Sequence, residues 1–151
     1  MDRSKDSRDA AAVALASLLF MPVSEVVHAD EAKKDATTVK QLRAQDLTGI
    51  PGKEAVMFTV AYLPGGASLP HRHDADVFMY VLEGSIVTQL DGKAPLTLKA
   101  GETFYESPTD VLRTSANASN THPAKFLMFM VKDKGQPASL SPAVSLRPND
   151  G

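Results

Sequence analysis

From residue 54 onward, short apolar-rich runs alternate with turn signals. Residues 54–63 are rich in Val, Met, Phe and Tyr and stop at Pro64-Gly65-Gly66. Residues 77–82 form a second β-prone run, ended by Glu83-Gly84. Residues 85–90 lead into Asp91-Gly92, a strong hairpin signal. Residues 96–99 meet Ala100-Gly101, and 103–106 meet Ser107-Pro108. Residues 111–117 and 124–132 complete the set, separated by Asn120-Thr121-His122-Pro123. Strands this short, with a turn every eight to twelve residues, predict an all-β sandwich or barrel.

Two runs are apolar on both faces. In 126–131, Phe126, Met128 and Met130 share one face, and Leu127, Phe129 and Val131 the other. The run 77–82 behaves the same way. A sheet with one wet face alternates apolar and polar residues, so something is expected to cover the second face. A homodimer is the favoured cover, and the segment before Glu54 the other candidate. The methionines in these runs read as core filler.

The two ends differ from the middle. Residues 10–21 are apolar and are followed by Pro22. Twelve helical residues are too short to span a bilayer, but long enough for the apolar region of a secretory leader. Val27-His28-Ala29 supplies a small-residue cleavage pattern, although Asp2, Asp6 and Asp9 offset Arg3, Lys5 and Arg8 in the leading segment. A cleaved signal peptide over 1–29 is expected, giving a periplasmic or secreted protein with no membrane partner after cleavage. An uncleaved leader would leave the protein cytoplasmic. Residues 30–36 read as a polar linker, 37–132 as the folded barrel, and 133–151, with three prolines and no periodicity, as an extended or disordered tail.

Composition narrows the chemistry. The chain has 151 residues with 16 basic and 18 acidic side chains, so it lacks the basic excess of a nucleic-acid binder. There is no cysteine, which removes disulfides, thiolate metal sites and a cysteine nucleophile. There is no Gly-x-Ser-x-Gly elbow and no phosphate-cradling glycine loop before a helix. Histidine is left as the side chain suited to a metal or to proton transfer near neutral pH.

In Gly65-Gly66-Ala67-Ser68-Leu69-Pro70-His71-Arg72-His73 the two histidines are spaced so that both imidazoles face the same side of a strand. With Gly84 following, the segment resembles the first motif of the cupin family: a glycine, five residues, His-x-His, then a glutamate, six residues and a glycine. The run from Gly101 to Leu112 has the frame of the second motif, with Pro108 one place late and Thr109 where a glycine belongs; Asn117 follows. The resemblance implies a double-stranded β-helix, a jelly-roll-like barrel whose mouth holds the site.

Cupin metal sites usually draw on three histidines and a glutamate, so the resemblance implies ligands at His71 and His73. The glutamate position falls on Val77 and the third histidine position on Leu112, and neither side chain can coordinate. Asp76, next to the glutamate position, is the candidate replacement and needs a bulge to turn inward. Glu106 lies near the end of its strand with its direction undecided, and His122 sits in a loop. Asn117-Ala118-Ser119 is a formal glycosylation sequon that also fits the asparagine of the second motif.

Three functions are weighed. The leading one is a barrel that binds a small organic molecule, metal-free or with a weak metal site. His71 and His73 then serve as polar or acid–base groups, and Val77, Met79, Phe104 and Leu112 as apolar walls. The alternative is an oxygenase or isomerase using iron, manganese, nickel or zinc on His71, His73 and Asp76. The third is a non-catalytic structural or interaction module.

Overall fold

The computed structural model describes residues 36–142, so the expected leader and the last nine residues lie outside the described part. Ten strands follow one another: β1 Thr37–Asp46, β2 Lys53–Tyr62, β3 Ala67–Ser68, β4 His71–Arg72, β5 Ala75–Glu83, β6 Ser85–Leu90, β7 Leu96–Lys99, β8 Thr103–Glu106, β9 Val111–Asn117 and β10 Ala124–Asp133. They form two antiparallel sheets. The first runs β1-β2-β10-β5-β8; the second runs β3-β9-β6-β7, with β4 also paired to β9. The described residues are all-β, and the two sheets make the jelly-roll barrel expected from the sequence.

Alternation decides what enters the barrel. Val56, Phe58, Val60 and Tyr62 of β2 point inward beside Ala124, Phe126, Met128 and Met130 of β10. Ala75, Val77, Met79 and Val81 of β5 continue the layer. From the second sheet come Ile86, Leu98 and Leu112, together with the buried polar Thr88, Ser115 and Asn117. Between β5 and β6 the chain passes from one sheet to the other through Gly84, at φ 71°. A Cβ there would stand 2.5 Å from the Pro123 carbonyl oxygen, so only glycine fits.

The apolar pattern gave no sign of β1, which is polar and largely exposed. Its place comes from antiparallel pairing with β2, interrupted by an irregularity between Gln41 and Arg43. Because β1 adds to the edge of the sheet, it does not cover the outer face. Phe78, Tyr80, Leu82 and Tyr105 are therefore exposed on a single chain. Phe78 packs against Tyr105 and Phe129, with ring centroids 5.2 and 6.4 Å apart.

Beyond β10 the chain folds back. The Lys132 ammonium donates to the Gln136 carbonyl and to Glu54 Oε1, both at 2.5 Å. The Gly135 N–H donates to the same Glu54 oxygen. Leu140 then exchanges two backbone hydrogen bonds with Arg72 in β4. Residues 136–142 thus form a strap beside β4, fastened to the barrel at Gln136 and Leu140.

Candidate functional site

A cavity of about 450 Å³ opens at the mouth of the barrel, mostly apolar in its walls. Phe58, Val60, Phe126 and Met128 floor it from the first sheet, and Leu112 closes it from the second. The strap residues Ala138 to Ser141 form part of the rim. Tyr62 reaches across inside it: its hydroxyl lies 2.6 Å from Ser68 Oγ and 2.8 Å from Ser115 Oγ, joining the two sheets.

His71 and His73 both line the cavity, with ring centroids 4.8 Å apart at 86°. Their i, i+2 spacing does what a strand requires, and the intervening Arg72 is held by Asp74 instead. The Nδ1 of His71 lies 2.6 Å from the Leu69 carbonyl oxygen, and that of His73 lies 2.5 Å from the Ala138 carbonyl oxygen. A carbonyl only accepts, so each Nδ1 carries the hydrogen and each Nε2 keeps its lone pair. Burial holds both imidazoles below their usual range, His73 at about 4, against the opposing pull of the carbonyl contacts. Both are neutral at pH 7.

The third member is Glu106, at the end of β8. It faces Val77 in the β5–β8 register, on the inner side of the sheet. The residue is 3% exposed, and Oε1 has no hydrogen-bond partner. Oε2 lies 3.8 Å from His73 Nε2, too far for a hydrogen bond. Burial, reinforced by the negative charge of Asp110, pushes Glu106 up to about 7. With a neutral imidazole opposite, the contact is not an ion pair: His73 Nε2 is an acceptor, and Glu106 accepts or donates according to its protonation.

The other expected site residues are dispersed. Met79 and Leu112 line the cavity, but Val77 is buried behind it and is not part of the wall. Phe104 borders a shallower depression with Phe78, Tyr80, Tyr105 and Leu127. Asp76 does not join the histidines: β5 runs without a bulge past it, so it faces away from the inward Ala75 and Val77 and accepts a hydrogen bond from Tyr105 at 2.7 Å. His122 contacts Thr121 in its loop. Asn117 is buried, and its amide donates to the carbonyls of Leu63 and His122, which makes it a brace between loops rather than an accessible glycosylation site.

Sequence reasoning left Glu106 undecided and missed the strap. The signal for Glu106 was parity: it shares a strand face with Phe104, two residues earlier, and that face turns inward. The Ala138 carbonyl had no signal, because a backbone acceptor carries no side-chain signature.

Cupin metal chemistry can be tested against these residues. Two Nε2 lone pairs and a carboxylate are donor types that a divalent transition metal accepts, and Nδ1–H groups tied to carbonyls are usual behind metal-bound imidazoles. Yet among the described residues no group of three or more His, Asp or Glu side chains is spaced to hold a metal ion. Val and Leu stand at the two other family positions. As placed, the residues do not fit a resident metal.

The cupin domain family matches residues 58–130. No curated protein matches the chain. Among solved structures, a DMSP lyase from Ruegeria pomeroyi DSS-3 aligns with 76% of this chain and 55% of its own, at 15% identity and a TM-score of 0.57. A recombinant oxalate oxidase in complex with glycolate aligns with 74% of this chain and 57% of its own, at 22% identity and a TM-score of 0.54. A cupin-2 domain protein from Rhodospirillum rubrum aligns with 71% of this chain and 66% of its own, at 16% identity and a TM-score of 0.54. The chain thus spans little more than half the length of the first two, and at these identities the likeness extends to the fold alone. With the jelly-roll topology and the His-x-His strand at the barrel mouth in agreement with the matched segment, residues 58–130 are a domain of the cupin family.

Proposed function

We propose that this barrel binds a small organic molecule in its mouth cavity, with His71, His73 and Glu106 as the polar end that orients it and exchanges a proton with it. One observation carries the reading: a buried carboxyl with an unpartnered oxygen stands beside an imidazole with a free lone pair, inside an otherwise apolar cavity. Leaving such a group unsatisfied costs about 1–3 kcal/mol, and a bound molecule supplies the missing partner. Glu106 also holds and releases a proton near neutral pH, the range in which a general acid or base works best.

The chemistry available to the chain follows from its own groups. The apolar walls select a hydrocarbon body and keep water from the polar end. His71 and His73, locked as Nδ1–H tautomers by Leu69 and Ala138, accept hydrogen bonds through Nε2. Glu106 donates when protonated and accepts when ionised.

The test is a thermal-shift screen of small apolar alcohols, ketones and amines against the wild type, Glu106→Gln and His73→Gln, with bound metal measured on the same preparations. Compounds that raise the wild-type melting temperature, and lose that effect in both variants, support the reading. Stoichiometric metal that disappears in His71→Ala overturns it in favour of a metal centre. No responsive compound at all overturns it in favour of a structural module.

A further inference from the structure

The polar end of the cavity is lopsided in its hydrogen-bonding capacity. Both Nε2 atoms are acceptors, because both Nδ1 hydrogens go to carbonyl oxygens. Glu106 Oε1 is buried and unpartnered. No Lys or Arg is among the residues lining the cavity. Cations close to the lining residues are paired outside the cavity: Arg72 with Asp74 through its terminal nitrogen, its Nε being buried and unpartnered, Arg113 with Asp91, and Lys132 with Glu54 and the Gln136 carbonyl. Glu106 is the lone carboxyl in the described lining. Beside its serine, threonine and tyrosine hydroxyls, the pocket therefore offers two imidazole lone pairs and one carboxyl that ionises near neutral pH, but no positive side chain to meet them.

We infer that the molecule taken by this cavity carries a primary ammonium group on a compact hydrocarbon body, and that carboxylate-headed molecules are turned away. The inference rests on the binding reading above and names the class of molecule bound. An ammonium has three N–H donors and no acceptor, which matches two imidazole Nε2 atoms and one carboxylate oxygen. Its charge, brought out of water, needs a buried countercharge, and Glu106 provides it. The resulting hydrogen bonds are charge-assisted, roughly twice as strong as neutral ones. An anionic head finds the opposite: a carboxyl driven further toward its protonated form, two acceptors and no fixed cation. The apolar walls of Phe58, Val60, Phe126 and Met128 then hold the body.

The experiment compares three probes with the same body: phenethylamine, 2-phenylethanol and phenylacetate, titrated calorimetrically into the full-length protein with excess EDTA present. Phenethylamine is expected to bind at least tenfold more tightly than 2-phenylethanol, with phenylacetate weakest. Glu106→Gln is expected to remove the preference for the amine, weakening the amine at least tenfold more than it weakens the alcohol. Lys134→Ala, a change at an exposed surface pair with Asp46, controls for general charge effects and leaves the preference intact. Equal binding of amine and alcohol, or tightest binding of phenylacetate, overturns the inference and leaves the binding reading standing. If none of the three binds, in calorimetry or by thermal shift, both fall.

Discussion

Val77 and Glu106 face one another across β5 and β8, so the buried carboxyl beside His73 stands opposite the position at which the first cupin motif has its glutamate. Directly opposed residues in an antiparallel pair hold their Cβ atoms about 5 Å apart. A carboxylate lost at the first-motif position can therefore be replaced from the facing position without any change of backbone. Moving it also alters its surroundings, since Glu106 packs under the apolar layer of β5 and β10 with Oε1 unpartnered.

That burial makes stability depend on pH in two opposing ways. Glu106 is raised to about 7, so its contribution is full below its unfolded value and is lost as pH rises through 7. His73 is depressed to about 4, so its contribution is full above 6.5 and is lost as pH falls through 4. Stability contributed by this pair is therefore greatest between those limits. Glu106→Gln removes the alkaline loss, worth roughly 3 kcal/mol at full ionisation. The variant is expected to melt several degrees above the wild type at pH 8, and this advantage should shrink at pH 5. A difference that does not change with pH would refute the assignment.

The imidazoles should show their tautomers directly. Nitrogen NMR at neutral pH is expected to find Nδ1 protonated and Nε2 unprotonated in both His71 and His73, because Leu69 and Ala138 present carbonyls to Nδ1. Removing residues 136–151 takes away the Ala138 carbonyl and leaves the Leu69 contact intact. His73 should then become a mixture of tautomers while His71 does not change. Retention of a single His73 tautomer in the shortened chain would show that the strap does not set it.

Leu112 stands across from His71 in the β4–β9 register and lines the cavity. Leu112→His is expected to bring a third imidazole to the mouth and to raise zinc or manganese affinity by at least tenfold over the wild type, by calorimetry. Its cost in stability should be about 1–3 kcal/mol, since a buried leucine is exchanged for a polar ring. Unchanged metal affinity in a folded variant would place residue 112 out of reach of the histidines.

Tyr62 spans the two sheets through Ser68 and Ser115, and its ring packs on Phe126 at 5.7 Å. Tyr62→Phe keeps the ring and removes the clasp. Two serine hydroxyls then lose a partner, at a cost of about 1–3 kcal/mol. Denaturant unfolding should show this as a lower midpoint with an unchanged slope.

The alternation of apolar residues and turn signals was enough to predict seven of the strands, the all-β class and the barrel. His71 and His73 could be assigned to one face by spacing alone. These features are local: period-two patterning and glycine-bearing turns act over a few residues, so they can be read from one chain segment at a time. β1 escaped because an edge strand exposed to water needs no apolar period, only a partner such as β2. Asp76 could be set aside only once the strand was seen to run without a bulge. Glu106 entered the site because the register of β5 with β8 turned it inward, and register is a property of pairing between distant segments. The strap entered for a similar reason: Arg72 bonds Leu140 through main-chain groups that every residue carries. Local patterning was enough for the barrel and for the histidine pair. Which carboxyl lies beside His73, and which tautomer His73 holds, came from contacts between residues far apart in the chain, whereas Leu69 sets the tautomer of His71 locally.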